Sequence, residues 1–210
     1  MKYIIFDFDG TIADTFKLFI EISHNLTGHP SLLDPIITEE LKHENIVDAT
    51  ARLGIAKHRW PILLMRGRKQ MTKRLDEIKP YEGMGEVLSS LHKRGFKMYI
   101  MSTNSTSNIN SFLTKSGFSE YFQAVYGGVG LLNKSAALTK ILKKNDIKTE
   151  DAVYVGDEVR DIEAANKVNM KVISVAWGFN DPDRLVKDKP MVVVRTRPEL
   201  LKVLESWEAR

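Results

Sequence analysis

The chain has 210 residues, of which 31 are Lys or Arg and 27 are Asp or Glu, so its formal net charge is +4. Its 43% apolar and 28% charged residues exclude an intrinsically disordered chain, and no apolar run reaches the length of a membrane span. Cysteine is absent, which excludes disulfides, thiolate metal sites and cysteine nucleophiles and favours a cytoplasmic location.

The first predicted element is a buried strand over Lys2–Phe8, an almost continuously apolar run. It ends where Asp9-Gly10-Thr11 breaks the pattern. Because Asp7 lies within the run and Asp9 follows it directly, we expect that the N-terminus is not a signal peptide.

Residues 16–80 have helical spacing of apolar residues throughout, beginning with Leu18, Phe19 and Ile22. Within this segment, Asp34-Pro35 is a good N-cap followed by proline in the first helical position. We therefore predict two domains. An all-helical domain of residues 16–80 is inserted after the first strand into an α/β core domain of residues 1–15 and 81–210.

The positive charge is concentrated in the predicted helical insert. Between Lys42 and Lys79 there are ten Lys or Arg and four Asp or Glu, a local excess of six positive charges. Such a block can attract nucleic acid, but it is more typical of the solvated face of helices. Only Trp60 provides an aromatic side chain for stacking in this block, so we expect no nucleic-acid partner. Because no apolar run is long enough to span a membrane, we also expect no membrane partner.

After the cap, short apolar runs alternate with helical patterns. This alternation predicts an α/β fold, a Rossmann-like parallel sheet of five or six strands with helices on both faces. The further predicted strands are Phe96–Met101, Ala124–Tyr126, Ala152–Val155, Val172–Ala176 and Met191–Val194. The predicted helices between and after them include Met84–Arg94, Ser135–Asn145 and Asp161–Val168.

Polar residues follow these strands, and the carboxyl ends of parallel strands are where α/β sheets bind ligands. Lys134 opens the helix after the third strand of this sheet. The other candidate residues are Asp7, Asp9, Gly10 and Thr11 after the first strand, Ser102, Thr103 and Asn104 after the second, and Gly156, Asp157, Glu158 and Asp161 after the fourth.

Several carboxylates gathered at one edge would raise one another's pKa values unless a cation lay among them. Neither histidine nor cysteine accompanies them, and ligation by oxygen alone favours a hard ion such as Mg²⁺ over Zn²⁺. With Lys134 and the small donors around Ser102 beside such an ion, the edge would suit a phosphate group.

These motifs resemble those of the haloacid dehalogenase superfamily. Asp7-Phe-Asp-Gly-Thr-Ile-Ala-Asp-Thr15 is similar to the first, DxDGT, signature, and Val155-Gly-Asp-Glu-Val-Arg-Asp161 to the fourth, GDxxxD. Ser102 at a strand end and an isolated Lys134 lie between them in the expected order. The helical insert is similar to the small helical cap of the phosphoglycolate-phosphatase-like subgroup, and so are Tyr81-Glu-Gly83 and Trp177-Gly178. One departure is Glu158, which stands where the family often has Ser or Thr.

The resemblance implies a Mg²⁺-dependent phosphatase that hydrolyses a small phosphorylated metabolite. It implies that Asp7 is the nucleophile that forms an aspartyl-phosphate, and that Asp9 is the general acid and base. Lys134 would bridge nucleophile and phosphate, while Ser102, Thr103 and Asn104 would bind phosphoryl oxygens. The implied metal residues are Asp7, Asp9 through its carbonyl, Asp157 and Asp161, with direct contact by Glu158 or Asp161 left open.

Other activities share this fold. A dehalogenase has no use for a second carboxylate, and the presence of Asp9 argues against it. A phosphonatase would need an amine nucleophile in the cap, for which Lys42, Lys57, Lys69 and Lys73 are candidates. A phosphomutase would use Asp7 and Asp9 equally well.

A non-catalytic phospho-accepting regulatory domain combines similar residues, but such domains lack a helical insert after the first strand. The identity of the substrate and the oligomeric state are not indicated by the sequence. Arg52, Arg59, Arg66 and Arg68 in the cap are candidates to bind a carboxylate or second phosphate of the substrate.

Overall fold

The computed structural model describes residues 2–208, which contain eight strands and ten α-helices. The strands are β1 (Tyr3–Phe6), β2 (Ala13–Asp14), β3 (Lys79–Pro80), β4 (Lys97–Met101), β5 (Phe122–Tyr126), β6 (Ala152–Gly156), β7 (Lys171–Val175) and β8 (Val192–Val194). The helices are α1 (Phe16–Thr27), α2 (Pro35–Leu41), α3 (Ile46–Arg52), α4 (Trp60–Lys73), α5 (Met84–Lys93), α6 (Thr106–Ser116), α7 (Lys134–Lys144), α8 (Val159–Lys167), α9 (Pro182–Lys187) and α10 (Arg197–Glu208).

Six strands form one parallel sheet in the order β5-β4-β1-β6-β7-β8. Side chains alternate between the two faces of a strand, and in β1 Ile4 and Phe6 join one buried cluster while Ile5 joins the other. All three side chains are fully buried because helices cover both faces. A strand buried on both sides needs apolar residues at every position, which is why this run lacks the polar alternation of an exposed sheet.

Different helices cover the two faces. Apolar stripes of α5, α6 and α10 pack on the face that carries Ile4 and Phe6, whereas those of α7 and α8 pack on the face that carries Ile5. In α5 the stripe consists of Met84, Val87, Leu88 and Leu91, all nearly or fully buried. This three-layer arrangement confirms the predicted α/β fold with a parallel sheet of six strands.

The helices α1 to α4 lie between two very short strands. β2 and β3 pair in antiparallel fashion, with Ala13 opposite Pro80 and Asp14 opposite Lys79, so the chain leaves and re-enters the sheet region at one place. Helix α2 begins as its sequence predicts, since the Asp34 carboxylate accepts a hydrogen bond from the Ile36 N–H at 2.9 Å. No helix within residues 2–208 combines the length and apolar character needed to cross a membrane.

Candidate active site

The candidate site lies at the carboxyl ends of β4, β1 and β6, the three central strands. Phe6 pairs with Ile100 of β4 and with Val155 of β6, so these strands end side by side. The N–H of Asp7 continues the ladder by donating to the Val155 carbonyl at 2.8 Å. The residue types that follow the three strands are therefore brought together at this edge, as parallel topology requires.

Lys134 links two acidic residues at the centre of the site. It is the first residue of α7 and only 2% exposed, and its ammonium Nζ donates to Asp7 Oδ2 at 2.5 Å and to Asp161 Oδ1. Tyr154 also donates to Asp161 Oδ1, at 3.0 Å, and the Glu158 N–H donates to the second oxygen of Asp161 at 3.0 Å. Asp161 is thus held rigidly, and it fixes the position of the ammonium beside Asp7.

Asp9 contacts the loop that follows β4. Its carboxylate accepts from the Asn104 amide at 3.3 Å and from the Ser102 hydroxyl at 3.5 Å. The Ser102 oxygen in turn accepts from the Asn104 N–H at 3.0 Å, so the loop is folded back on itself beside Asp9. Thr103 lies between these two residues, and its carbonyl accepts from Arg68 Nε of α4 at 2.6 Å.

Asp157 is fully buried and its two carboxylate oxygens are engaged by neighbouring segments. One oxygen accepts from the Thr11 hydroxyl at 2.7 Å and the other from the Phe179 N–H at 2.8 Å. Gly10, with a φ of 78°, packs so closely here that a Cβ at this position would lie 2.1 Å from Asp157 Oδ2. Asp157 therefore fixes the loop after β1 to the loop after β7.

A buried acidic cluster consists of Asp7, Glu158 and Asp161, each of which offers a carboxylate oxygen within 4.8 Å of the others. Oxygen donors in such a group suit a hard divalent cation. The cluster differs from the predicted metal set, because it includes Glu158, whereas Asp157 and Asp9 are not part of it. Glu158 also pairs with Arg160 in the first turn of α8.

Burial raises the pKa values of three carboxyl groups in this site. Burial raises the pKa of Asp7 to about 7 despite the opposing charge of Lys134, and burial raises the pKa of Asp9 to about 6. Burial, reinforced by the charge of Glu158, also raises the pKa of Asp157. Burial lowers the pKa of Lys134, but the charges of Asp161 and Asp7 outweigh it, so its pKa is raised and the ammonium stays charged.

Five carboxyl groups, those of Asp7, Asp9, Asp157, Glu158 and Asp161, thus share the site, and the cationic side chains that pair with them there are Lys134 and Arg160. A divalent cation would relieve this imbalance, so the residues present fit a resident metal ion.

The structure places the predicted site residues at one edge of the sheet, but several contacts that support them were not expected from the sequence. The pairing of Arg160 with Glu158, the Tyr154 hydroxyl on Asp161 and the Thr11 hydroxyl on Asp157 were not anticipated. For Arg160 a signal existed, since it lies within the fourth motif at the start of a helix. For Tyr154 there was none, because a tyrosine in a buried strand is indistinguishable from a core residue.

The helices α1 to α4 contact this site at two places. On one side Thr72 of α4 donates to Asn108 at 2.7 Å, and Asn108 donates to Asn104 at 3.0 Å. On the other side Asn180 donates to the carbonyls of Lys42 and Glu44 at 2.9 and 2.8 Å. The inserted helices therefore lie over the carboxyl edge of the sheet.

The chain is similar to proteins of known classification over nearly its whole length. The family model described as haloacid dehalogenase-like hydrolase matches residues 4–175. A phosphoglycolate phosphatase from Synechococcus elongatus is 32% identical over 207 residues, which cover 97% of each chain. The pyrophosphatase PpaX from Halalkalibacterium halodurans is 26% identical, over 96% of this chain and 95% of that relative.

A solved structure also shares the fold. A haloacid dehalogenase-like family hydrolase from Streptococcus pneumoniae superposes with a TM-score of 0.79 at 20% sequence identity, covering 97% of this chain and 98% of that one.

Proposed function

Since this chain belongs to the haloacid dehalogenase-like hydrolases and is a phosphatase, we propose that it hydrolyses a small phosphomonoester through a phosphorylated Asp7. The observation that carries the proposal is the buried Lys134 ammonium, held between Asp7 and Asp161 at the carboxyl edge of the sheet. A carboxylate is a poor nucleophile towards a phosphate dianion unless positive charge screens their repulsion. Lys134 supplies that charge beside the attacking group.

In the first step an oxygen of Asp7 forms a bond to phosphorus, and the bond between phosphorus and the leaving oxygen breaks. Asp9 gives its proton to that oxygen, so the leaving group departs as an alcohol. In the second step water attacks phosphorus, the aspartyl oxygen leaves, and Asp9 takes a proton from the water. The raised pKa of Asp9, about 6, supports this role because a protonated fraction persists near neutral pH.

The phosphoryl oxygens would be bound by Ser102, Thr103 and Asn104 together with Lys134. Ser102 and Asn104 contact Asp9, Lys134 contacts Asp7, and the loop after β4 is held in place by its own hydrogen bonds. Residues 16–80 would act as a cap domain over the core of residues 1–15 and 81–210, excluding water other than the attacking molecule.

The proposed cofactor is Mg²⁺. The buried carboxylates of Asp7, Glu158 and Asp161 would hold it, and the predicted contributions of Asp157 and of the Asp9 carbonyl stay predictions. When bound, the ion supplies positive charge that neutralises phosphoryl oxygens. The cytoplasmic location expected from the composition also stays a prediction.

The substrate class follows from the relatives, which are a phosphoglycolate phosphatase and pyrophosphatases. We propose a small phosphorylated metabolite of that kind. The phosphonatase alternative finds no support, since none of the predicted cap lysines, Lys42, Lys57, Lys69 and Lys73, lines the cavity beside Asp9. A phosphomutase would be recognised by isomerised sugar phosphate in place of released phosphate.

The test is phosphate release from a panel of phosphorylated metabolites and p-nitrophenyl phosphate, with Mg²⁺ and with EDTA. We expect release with Mg²⁺, loss of release in EDTA, and recovery when Mg²⁺ is restored. Asp7→Asn should abolish turnover, because an amide cannot become the acyl phosphate.

The matched control is Asp146→Asn, an exposed position with a φ of 52° that asparagine adopts readily. It should keep wild-type activity. Substantial turnover by folded Asp7→Asn protein would overturn the proposed nucleophile.

A further inference from the structure

A cavity of about 170 Å³ lies between the inserted helices and the candidate site. It reaches Asp9, Thr103 and Asn104 at its inner end, so it adjoins the place proposed for the phosphate. Most of the remaining wall is apolar, including Phe19 of α1 and Trp60 of α4. The part of a substrate beyond its phosphate would therefore lie in a small space of low polarity.

Two cationic side chains line this cavity, Arg68 and Arg160. Arg160 is neutralised by its pair with Glu158. Arg68 has no carboxylate within ion-pair distance among residues 2–207. The charge on Arg68 thus faces the cavity region without a protein counter-charge.

The other arginines proposed from the sequence do not reach this cavity. Arg52 pairs with Glu40 and Glu44 at an exposed position, and neither Arg59 nor Arg66 is among the lining residues. The structure therefore reduces four candidates to Arg68.

Arg68 is held in a defined position beside the loop after β4. Its Nε donates to the Thr103 carbonyl at 2.6 Å and its Nη2 donates to the Val129 carbonyl at 3.3 Å. A guanidinium has five N–H donors, so these bonds orient it and leave others for a ligand. Partial burial lowers the pKa of Arg68.

We infer that Arg68 is a specificity-determining residue that binds a second anionic group of the substrate, a carboxylate or a further phosphate. The inference rests on the proposed phosphatase function. Thr103 lies between two residues that contact Asp9, so an anion on Arg68 would lie only a few bonds from the phosphorus atom under attack. The cavity of about 170 Å³ suits a small molecule, so the substrate class we infer is a short phosphorylated acid or a pyrophosphate-like anhydride.

The experiment compares phosphoglycolate, pyrophosphate and ethyl phosphate as substrates of wild-type protein and of Arg68→Met. Ethyl phosphate has the two-carbon length of phosphoglycolate but lacks its carboxylate. We expect wild-type kcat/KM to be higher for at least one of the two probes with a second anionic group. In Arg68→Met that kcat/KM should fall by about 10-fold or more, the loss typical of a hydrogen bond to a charged group, chiefly through KM. The value for ethyl phosphate should change by less than about threefold.

The matched control is Arg66→Met, an exposed arginine on the same helix, which should leave all three substrates unaffected. Loss confined to phosphoglycolate identifies a carboxylate as the bound group, and loss confined to pyrophosphate identifies a second phosphate. If Arg68→Met does not fold, Arg68→Lys serves in its place, because it keeps the charge but loses the planar donor pair.

An equal loss for all three substrates would overturn the inference, since Arg68 would then bind the transferred phosphate or only hold the cap. An unchanged preference would overturn it as well, as would wild-type protein that favours ethyl phosphate. The proposed function fails by a different result, in which wild-type protein releases phosphate from none of these compounds nor from p-nitrophenyl phosphate. That result would also overturn the inference about Arg68, because the inference rests on the proposed function.

Discussion

Replacing Lys134 with methionine tests the electrostatic arrangement of the site most directly. Methionine keeps much of the length and apolar volume of the lysine stem but removes the ammonium. Asp7 and Asp161, whose side chains are 3% and 0% exposed, would lose their shared cation. We expect both stability and activity to fall.

The loss of stability can be worked out from the two contacts. Each is a charge-assisted hydrogen bond, worth about 1.5–3 kcal/mol, and breaking a buried ion pair by removing one partner costs about 3–5 kcal/mol. Because the ammonium no longer needs to be desolvated, we take the lower end, about 3 kcal/mol. For a chain of this length that corresponds to a fall in Tm of about 6–12 °C.

The measurement is urea unfolding followed by circular dichroism, in EDTA and in excess Mg²⁺. The loss of unfolding free energy in Lys134→Met should be largest in EDTA and smaller in Mg²⁺. A cation that binds the native carboxylates would replace part of the missing positive charge. Phosphate release should fall on the order of 10²- to 10³-fold, as for other lost electrostatic contacts to a transition state.

The control is Lys140→Met, the same substitution at an exposed position of the same helix. It should change the free energy of unfolding by less than about 0.5 kcal/mol. A Lys134→Met variant that behaves like this control would refute the reasoning. A deficit that is equal in EDTA and Mg²⁺ would show that the acidic cluster does not bind the ion.

Two further predictions concern neighbouring residues. Asp9→Asn should slow hydrolysis of alkyl phosphates more than that of p-nitrophenyl phosphate, because p-nitrophenolate leaves without a proton; equal losses would argue against Asp9 as the general acid. Gly10→Ala should lower the free energy of unfolding by about 1–2 kcal/mol because its backbone is left-handed, and further because the added Cβ would displace Asp157. The variant should also lose activity. Gly28→Ala is the control for the backbone cost alone, since Gly28 has a φ of 70° and open space around it. If urea unfolding showed the same loss of unfolding free energy in both alanine variants, that result would contradict the close approach at Gly10.

The core of the fold was predictable because its pattern is local. In β1 every residue from Ile4 to Phe6 is apolar, and only a strand covered on both faces requires that. Lys134 was also identified correctly as the start of a helix after a strand. The structure places the residues that follow β1, β4 and β6 at one edge, where the expected parallel sheet had suggested that the candidate residues would lie.

The partners of each side chain within the site were not predictable, and Asp157 and Glu158 show why. The sequence places both in the same turn, and the metal role that the resemblance suggested for Asp157 stays a prediction. In the structure Asp157 faces Thr11 and Phe179, whereas Glu158 offers its oxygen to the acidic cluster. The direction of a side chain in an irregular turn depends on which donors the distant loops bring near, and that is a property of the assembled chain.

The sequence by itself determined the α/β class, the order of the motifs and the types of residue at the sheet edge. Helices and strands each give apolar residues a characteristic spacing, which can be recognised from consecutive residues. Only the tertiary structure decided which of four arginines faces the cavity and which carboxylates share Lys134. Both depend on contacts between residues far apart in the chain, such as Arg68 with Thr103 and Lys134 with Asp7, whose distances are set by the packing of whole helices on the sheet.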